Sequence, residues 1–197
     1  MNLEATKIEP PNGEWQNTDP LVFGDRFLYG VCRQFNPKSQ RNTKMAKLEN
    51  GDIVLFGSHI GGDFVLDTVF VVESHVPLVR GSEPSHCDSQ LYKNVTLDRI
   101  QIPKCGLRLY SGQRWRSDGP FSFVPCKQHH RTWKAFSRPV IRPEGPLTGK
   151  ISPNLKQNFK ELTESASEDG SIIWKEVVRQ VISQGCALGT SIDEPAQ

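Results

Sequence analysis

The sequence predicts an α+β fold: a single domain, residues 1–197, in which a β-rich core over 21–150 precedes a helical part over 151–186. Three observations predict it. Two runs rich in Val, Ile and Phe, Ile53–Phe56 and Phe64–Val72, flank the glycine-containing segment Gly57-Ser58-His59-Ile60-Gly61-Gly62. Branched and flat side chains fit a pleated surface, and neither run has the face periodicity of an amphipathic helix. Fourteen Pro and sixteen Gly require many turns, as in β-rich chains. After Pro153 the apolar residues change to helical spacing.

Residues 1–20 carry Pro10, Pro11, Gly13 and Pro20 with few apolar groups and read as a lead-in anchored by Trp15. Residues 21–35 supply the first core strand, in which Phe27, Tyr29 and Val31 alternate with Leu28, Gly30 and Cys32. A glycine at position 30 marks a bulge or a close approach by another backbone or a ligand. Residues 36–50 form a polar loop with a helical turn near Met45–Leu48, and Asn50-Gly51 turns the chain into the central hairpin. The glycines of 57–62 take positive φ at low cost and fold the second strand back on the first. Apart from Asp67 both faces of that strand are apolar, so both are expected to be covered.

Residues 74–96 read as a long loop with a short helix near Ser89–Lys93. Strands are expected over Leu97–Ile102, Leu107–Tyr110 and Phe121–Val124, then a helical turn near Arg131–Phe136. Two C-terminal helices follow. Asn154–Ala166 puts Leu155, Phe159 and Leu162 on one face. Ser171–Gln184 repeats Ile173, Val177 and Val181 at spacing four, with Asp169 or Ser171 as its cap and Gly185 as its stop. Residues 187–197 read as a frayed tail.

The polar N-terminus has no apolar signal region, and no run approaches the roughly 20 apolar residues of a bilayer span. A soluble, cytoplasmic protein without a membrane partner is expected. Five scattered cysteines, Cys32, Cys87, Cys105, Cys126 and Cys186, read as reduced thiols. A formal net charge of +2 conceals an uneven distribution. Nine Lys or Arg lie between Lys104 and Arg142 with Asp118 as the single acid, whereas Glu161–Glu194 holds seven acids and two bases.

The basic stretch interleaves its cations with Tyr110, Trp115, Phe121, Phe123, Trp133 and Phe136. Cations neutralise phosphates, and aromatic faces stack on exposed bases. Gln113-Arg114-Trp115-Arg116 places both kinds of group within four residues. This pattern points to a nucleic acid or nucleotide as partner; the plain alternative is a solvated basic face over core aromatics.

Gly51-Asp52-Ile53-Val54-Leu55-Phe56-Gly57-Ser58, followed by Phe64 to Glu73, resembles the central part of PUA-like domains, the superfamily that includes the EVE, YTH and ASCH modules. Asp25-Arg26-Phe27-Leu28-Tyr29-Gly30-Val31-Cys32 is similar to the opening strand of domains associated with modified nucleotides. The resemblance covers about 50 residues of the 197. It implies a small closed or half-open β-barrel, here with the two C-terminal helices packed on it, whose pocket holds a flipped or single-stranded base, often a modified one.

With both hairpin faces apolar, a base is expected to enter at the barrel rim, where Tyr29, the Gly57-Ser58-His59 turn and the aromatics after Tyr110 converge. The candidate base-binding set is Tyr29, Ser58, His59, Asp67, Tyr110, Arg114, Trp115, Arg116, Phe121, Phe123 and Trp133. Asp67, inside an apolar run, either bonds a base edge or is a structural partner to an arginine such as Arg26. Cys126-x-x-His129 with His130 is one half of a zinc site, with His86, Cys87 and Cys105 as possible completions; one well-spaced pair is not enough, so no metal and no cofactor are expected. Glycine-rich phosphate loops, Gly-x-Ser-x-Gly and His-Glu-x-x-His are absent from the sequence. Recognition of a base in DNA or RNA is the leading expectation. An enzyme acting on nucleotides or nucleic acid, a nuclease or a base-modification enzyme, is the rival, and a protein-binding module is the third reading.

Overall fold

A computed structural model describes residues 2–3, 19–24, 26–80, 89–99, 102–129, 132–151 and 166–193. The elements in order are β1 (Asn2–Leu3), β2 (Leu28–Tyr29), β3 (Phe35–Asn36), β4 (Arg41–Asn42), β5 (Ile53–Ile60), β6 (Asp63–Leu78), α1 (Gln90–Val95), β7 (Leu107–Gly112), β8 (Val124–His129), β9 (Thr132–Phe136), α2 (Ala166–Ser183), β10 (Ala187–Gly189) and β11 (Ser191–Ile192). The architecture is mixed, mostly sheet with few helices. One sheet has the order β2-β7-β6-β5 and a second the order β10-β8-β9. A Val69–Phe123 bridge joins them, and among the described residues no barrel closes. No described helix is long and apolar enough to cross a membrane.

The β5–β6 hairpin is the spine. Its turn is the two-residue Gly61-Gly62, with φ of +62° and +95°, values that side chains resist. The sequence reading placed a longer turn over 57–62; instead Gly57 lies inside β5. A Cβ there would come within 2.3 Å of the Val65 carbonyl and 2.6 Å of the Phe64 ring, so the glycine answers a close approach. At the other end of β5, Gly51 has φ +89°, and the Asp52 carboxylate accepts the Glu49 N–H. The Gly-Asp pair is thus a turn device.

Strand β6 carries two bulges. Phe56 pairs with Thr68 and Gly57 with Leu66, so Asp67 has no partner on β5. Val72 pairs with Gly112 and Ser74 with Ser111, so Glu73 has none on β7. Each extra residue shifts the alternation by one. This is why Leu66 shares a face with Val69 and Val71. Both acids point to arginines: Asp67 to Arg138, and Glu73 to Arg26 and Arg116.

Both faces of β6 are covered, as expected. Phe70 and Val72 pack with Tyr29, Tyr110, Met45 and Ile192. Val69 and Val71 pack with Phe123, Ile141, Val177 and Val181, which fixes α2 on this side. A third cluster joins Leu21, Leu28, Tyr92 and Leu109.

Segment 139–142 is stitched between β6 and α2. Leu66 donates to the Pro139 carbonyl and Ile141 to the Phe64 carbonyl. On the other edge the Gln184 amide takes both backbone groups of Val140, at 3.0 and 2.7 Å. The Gln180 amide does the same with Arg142, at 2.8 and 3.2 Å. Gln180 is 6% exposed and Gln184 is exposed. Removing a partner from buried backbone groups costs about 1–3 kcal/mol. Gln180→Ala is therefore expected to lower stability by that amount, and Gln184→Ala by less than about 1 kcal/mol because water replaces its amide. Denaturant midpoints of the two variants check this; equal losses would contradict it.

Several sequence expectations need correction. Leu97–Arg99 is a 3₁₀ turn following α1, in place of a strand; Leu97 packs against the third cluster. Thr132–Phe136 is a strand, in place of a helical turn, because β8 supplies a ladder partner. The expected frayed tail forms β10 on β8 and β11 on β1, and Ile192 is fully buried. The core strand expected over 21–35 shrinks to Leu28–Tyr29, since Arg33 takes a φ of +59° in the turn that follows. Helix α2 starts at Ala166, so Ser171 lies within it; Gly185, φ +72°, ends it as expected. Helix α1 and the 3₁₀ turn Lys44–Lys47 stand where short helices were expected, capped by Ser89 and Thr43. Trp15 and most of the expected Asn154–Ala166 helix lie outside the described residues.

Asp19 is tied to the turn after β2. Its carboxylate accepts the N–H groups of Gly30 and Val31, both at 2.8 Å, that of Cys32, and the Tyr92 hydroxyl at 3.0 Å. A Cβ on Gly30 would sit 2.7 Å from that hydroxyl, so the close approach at Gly30 is by the Tyr92 side chain, in place of the backbone or ligand expected.

Candidate functional site

The candidate residues fall into three places. Tyr29 and Tyr110 are wholly buried and stack on each other, with centroids 5.6 Å apart and planes 14° apart. Phe56 and Phe70 meet Tyr29 edge-on at 5.2 and 5.9 Å. The Tyr29 hydroxyl donates to the Cys32 carbonyl, and burial pushes its pKa up. The Tyr110 hydroxyl accepts the Leu48 N–H. The rim position expected for Tyr29, and the exposure a base-binding Tyr110 needs, are thus corrected: β2 and β7 turn these rings into the first core cluster.

Ser58, His59 and Asp67 lie toward the hairpin tip. Arg138 Nε donates to Asp67 Oδ1 at 2.5 Å, and its Nη2 donates to Asp67 Oδ2 at 3.2 Å and Ser58 Oγ at 2.8 Å. Asp67 is therefore an arginine partner, and that arginine is Arg138; Arg26 goes to Glu73 instead. The His59 ring tilts on Phe64 at 5.5 Å, and its buried Nδ1 has no partner among the described residues.

The third place is built by the connection between β7 and β8. Its neck is fixed: Gln113 donates to the Val71 carbonyl at 2.7 Å and Ser122 to the Gln113 carbonyl at 2.9 Å. Ser122 Oγ accepts the Val71 N–H at 2.9 Å. Gly112 has no room for a side chain, since a Cβ would stand 2.8 Å from Ser122 Oγ. The loop tip carries exposed Arg114, Trp115 and Arg116, with Trp115 63% exposed. Against this tip α2 places Trp174. Its ring meets Phe121 edge-on at 4.9 Å, and its Nε1–H donates to the Phe121 carbonyl at 3.0 Å. Between loop and helix lies a groove of about 420 Å³, lined by Trp115, Arg116, Ser117, Gly119, Phe121, Ser171, Trp174 and Lys175.

The groove therefore brings together three of the expected residues, Trp115, Arg116 and Phe121. Phe123 is fully buried beneath it, 6.3 Å from the Trp174 ring, and lines no surface. Trp133 stands on β9; its side chain lies outside the described residues. The helix wall, Trp174, Lys175 and Ser171, was not foreseen. Its signal was a tryptophan in an apolar helical stripe, the one core position with an N–H that needs an acceptor.

Arg116 Nη2 lies 3.3 Å from Glu73, which also faces Arg26 at 3.8 Å. The bulged acid so holds the guanidinium beside Trp115. No carboxylate, imidazole or thiol lines the groove among the described residues. A second groove of the same volume, on another face of α2, has mixed charge: Arg142 and Arg179 pair with Glu144 and Glu176, and its glutamine amides are spent on backbone.

Cys126 and Cys186 are buried and free, and burial, then the neighbouring Cys186, pushes the Cys126 thiol up to about 11. A thiol so raised is a poor nucleophile at neutral pH. Among the described residues no three His, Cys, Asp or Glu converge. The side chains of His86, Cys87, His129 and His130 lie outside the description.

No protein-family model matches the chain, and neither the curated proteins nor the solved structures contain a match to it.

Proposed function

We propose that the chain is a nucleic-acid-binding module that holds a base of DNA or RNA in the groove between Trp115 and the Phe121–Trp174 wall. Arg114, Arg116 and Lys175 face the flanking phosphates. One observation carries the reading: a tryptophan 63% exposed, set between two arginines on a loop whose neck is hydrogen-bonded to the central strand. Exposed indole has a face for stacking, and a fixed neck lowers the ordering cost of using it.

In this reading the two sheets are an opened PUA-like barrel. The features in favour are the β5–β6 hairpin and the Val69–Phe123 bridge that joins the sheets. Glu73 acts as an internal anion that a phosphate must share or displace at Arg116.

Arg114→Ala combined with Arg116→Ala is expected to lower oligonucleotide affinity and reduce its log–log salt slope by about one to two units. Binding titrations at several salt concentrations measure this. An unchanged slope would remove these arginines from the interface.

A further inference from the structure

We infer that the Trp115 groove selects the strand state of its nucleic acid, not the identity of the base, and that its occupant is a stretch of unpaired DNA or RNA. The inference rests on the nucleic-acid reading above and names the ligand class for the same groove.

Base identity is read by hydrogen bonds to base edges, and the groove offers few that discriminate. Its aromatic walls present ring faces and edges, which every base tolerates. Of the two indole N–H groups lining the groove, that of Trp174 is given to the Phe121 carbonyl, and that of Trp115 is a lone donor that an acceptor on any base satisfies. The guanidinium of Arg116, whose Nη2 lies 3.3 Å from Glu73, is turned to the flanking phosphates in this reading. The neutral polar side chains that remain are Ser117 and Ser171, and a hydroxyl both donates and accepts, so it suits any edge. Lys175 is a point charge suited to a phosphate.

Strand state is read by access. In a duplex both faces of each base are covered by its neighbours, so Trp115 has nothing to stack on unless a base is extruded, which is costly. In a single strand the faces are open. The groove volume of about 420 Å³ falls in the range of single small-ligand sites, roughly 300–1,000 Å³. One nucleotide fits that size, with its neighbours continuing along the cations.

The test uses the full chain with labelled oligo-dT, oligo-dA and oligo-dC and a hairpin duplex of equal length, at one salt concentration. The three homopolymers are expected to bind within about threefold of one another, and each at least about tenfold tighter than the duplex, as stacking without edge readout requires. Trp115→Ala should weaken single-strand binding by about five- to a hundred-fold and leave duplex binding as it was. Phe136→Ala, an exposed aromatic outside the groove lining, should change neither. A homopolymer favoured over the others by more than about tenfold would show edge readout and overturn the inference. So would duplex bound as tightly as single strand. In both cases nucleic-acid binding itself would stand. Absence of binding to all four probes would overturn the nucleic-acid reading and this inference with it.

Discussion

Asp19→Ala is expected to destabilise the protein by about 3–5 kcal/mol, a large share of the roughly 5–15 kcal/mol that holds a typical domain folded. The carboxylate is the common acceptor of three successive backbone N–H groups, from Gly30, Val31 and Cys32, and of the Tyr92 hydroxyl. Each donor left unpaired away from water costs about 1 kcal/mol or more, and four are left at once. The loss reaches further than the turn. Tyr92 is wholly buried and packs with Leu21, Leu28 and Leu109, so a displaced hydroxyl disturbs the third core cluster. Asp19→Asn keeps the shape and one acceptor oxygen but sets an NH₂ group among donors, and should fall between the two. Urea unfolding of the three proteins measures the order. An alanine variant within about 1 kcal/mol of the parent would mean that water satisfies those donors.

Trp174→Ala is the second large effect. The ring lies edge-on to Phe121 at 4.9 Å and to Phe123 at 6.3 Å, and its N–H is the donor to the Phe121 carbonyl. Truncating a large packed aromatic costs about 3–5 kcal/mol. Trp115→Ala, at a ring 63% exposed, should stay within about 0.5 kcal/mol of the parent. The two tryptophans line one groove, yet one supports the fold and the other does not. Melting curves of the pair separate the roles, and equal losses would show that Trp115 is packed in solution. Trp174→Phe keeps most of the packing and removes the donor, so it should cost less than the alanine variant, about 1–3 kcal/mol.

What the sequence made legible follows from range. The hairpin is local, and its glycines and β-branched runs announce it; Gly30 announced a close approach without naming Tyr92. Asp67 stood out as an acid in an apolar run, and an arginine partner was expected. Arg26, offered as an example of that partner, is not it, because the bulge that aims Asp67 depends on a register shift against β5, and Arg138 lies 71 residues further along the chain. Strands β10 and β11 are three and two residues long, too short for any periodicity, and exist through distant partners. Asp19 sits in a proline-rich lead-in, while its backbone donors are 11 to 13 residues away and the Tyr92 hydroxyl is 73 away. Tyr29 and Tyr110 read as binding aromatics by composition, but composition does not tell which strand face turns inward.

The two glutamine amides of α2 have a consequence for how this molecule meets others of its kind. A strand at the margin of a sheet exposes unpaired N–H and C=O groups, a template on which another chain adds and aggregation begins. Here the backbone groups of Val140 and Arg142 that face away from β6 are occupied by Gln184 and Gln180. A helix side chain does the work of the missing neighbour strand, twice, one helical turn apart. The backbone groups of Val140 and Arg142 that a foreign strand would need are thereby already spent, without burying another strand to spend them.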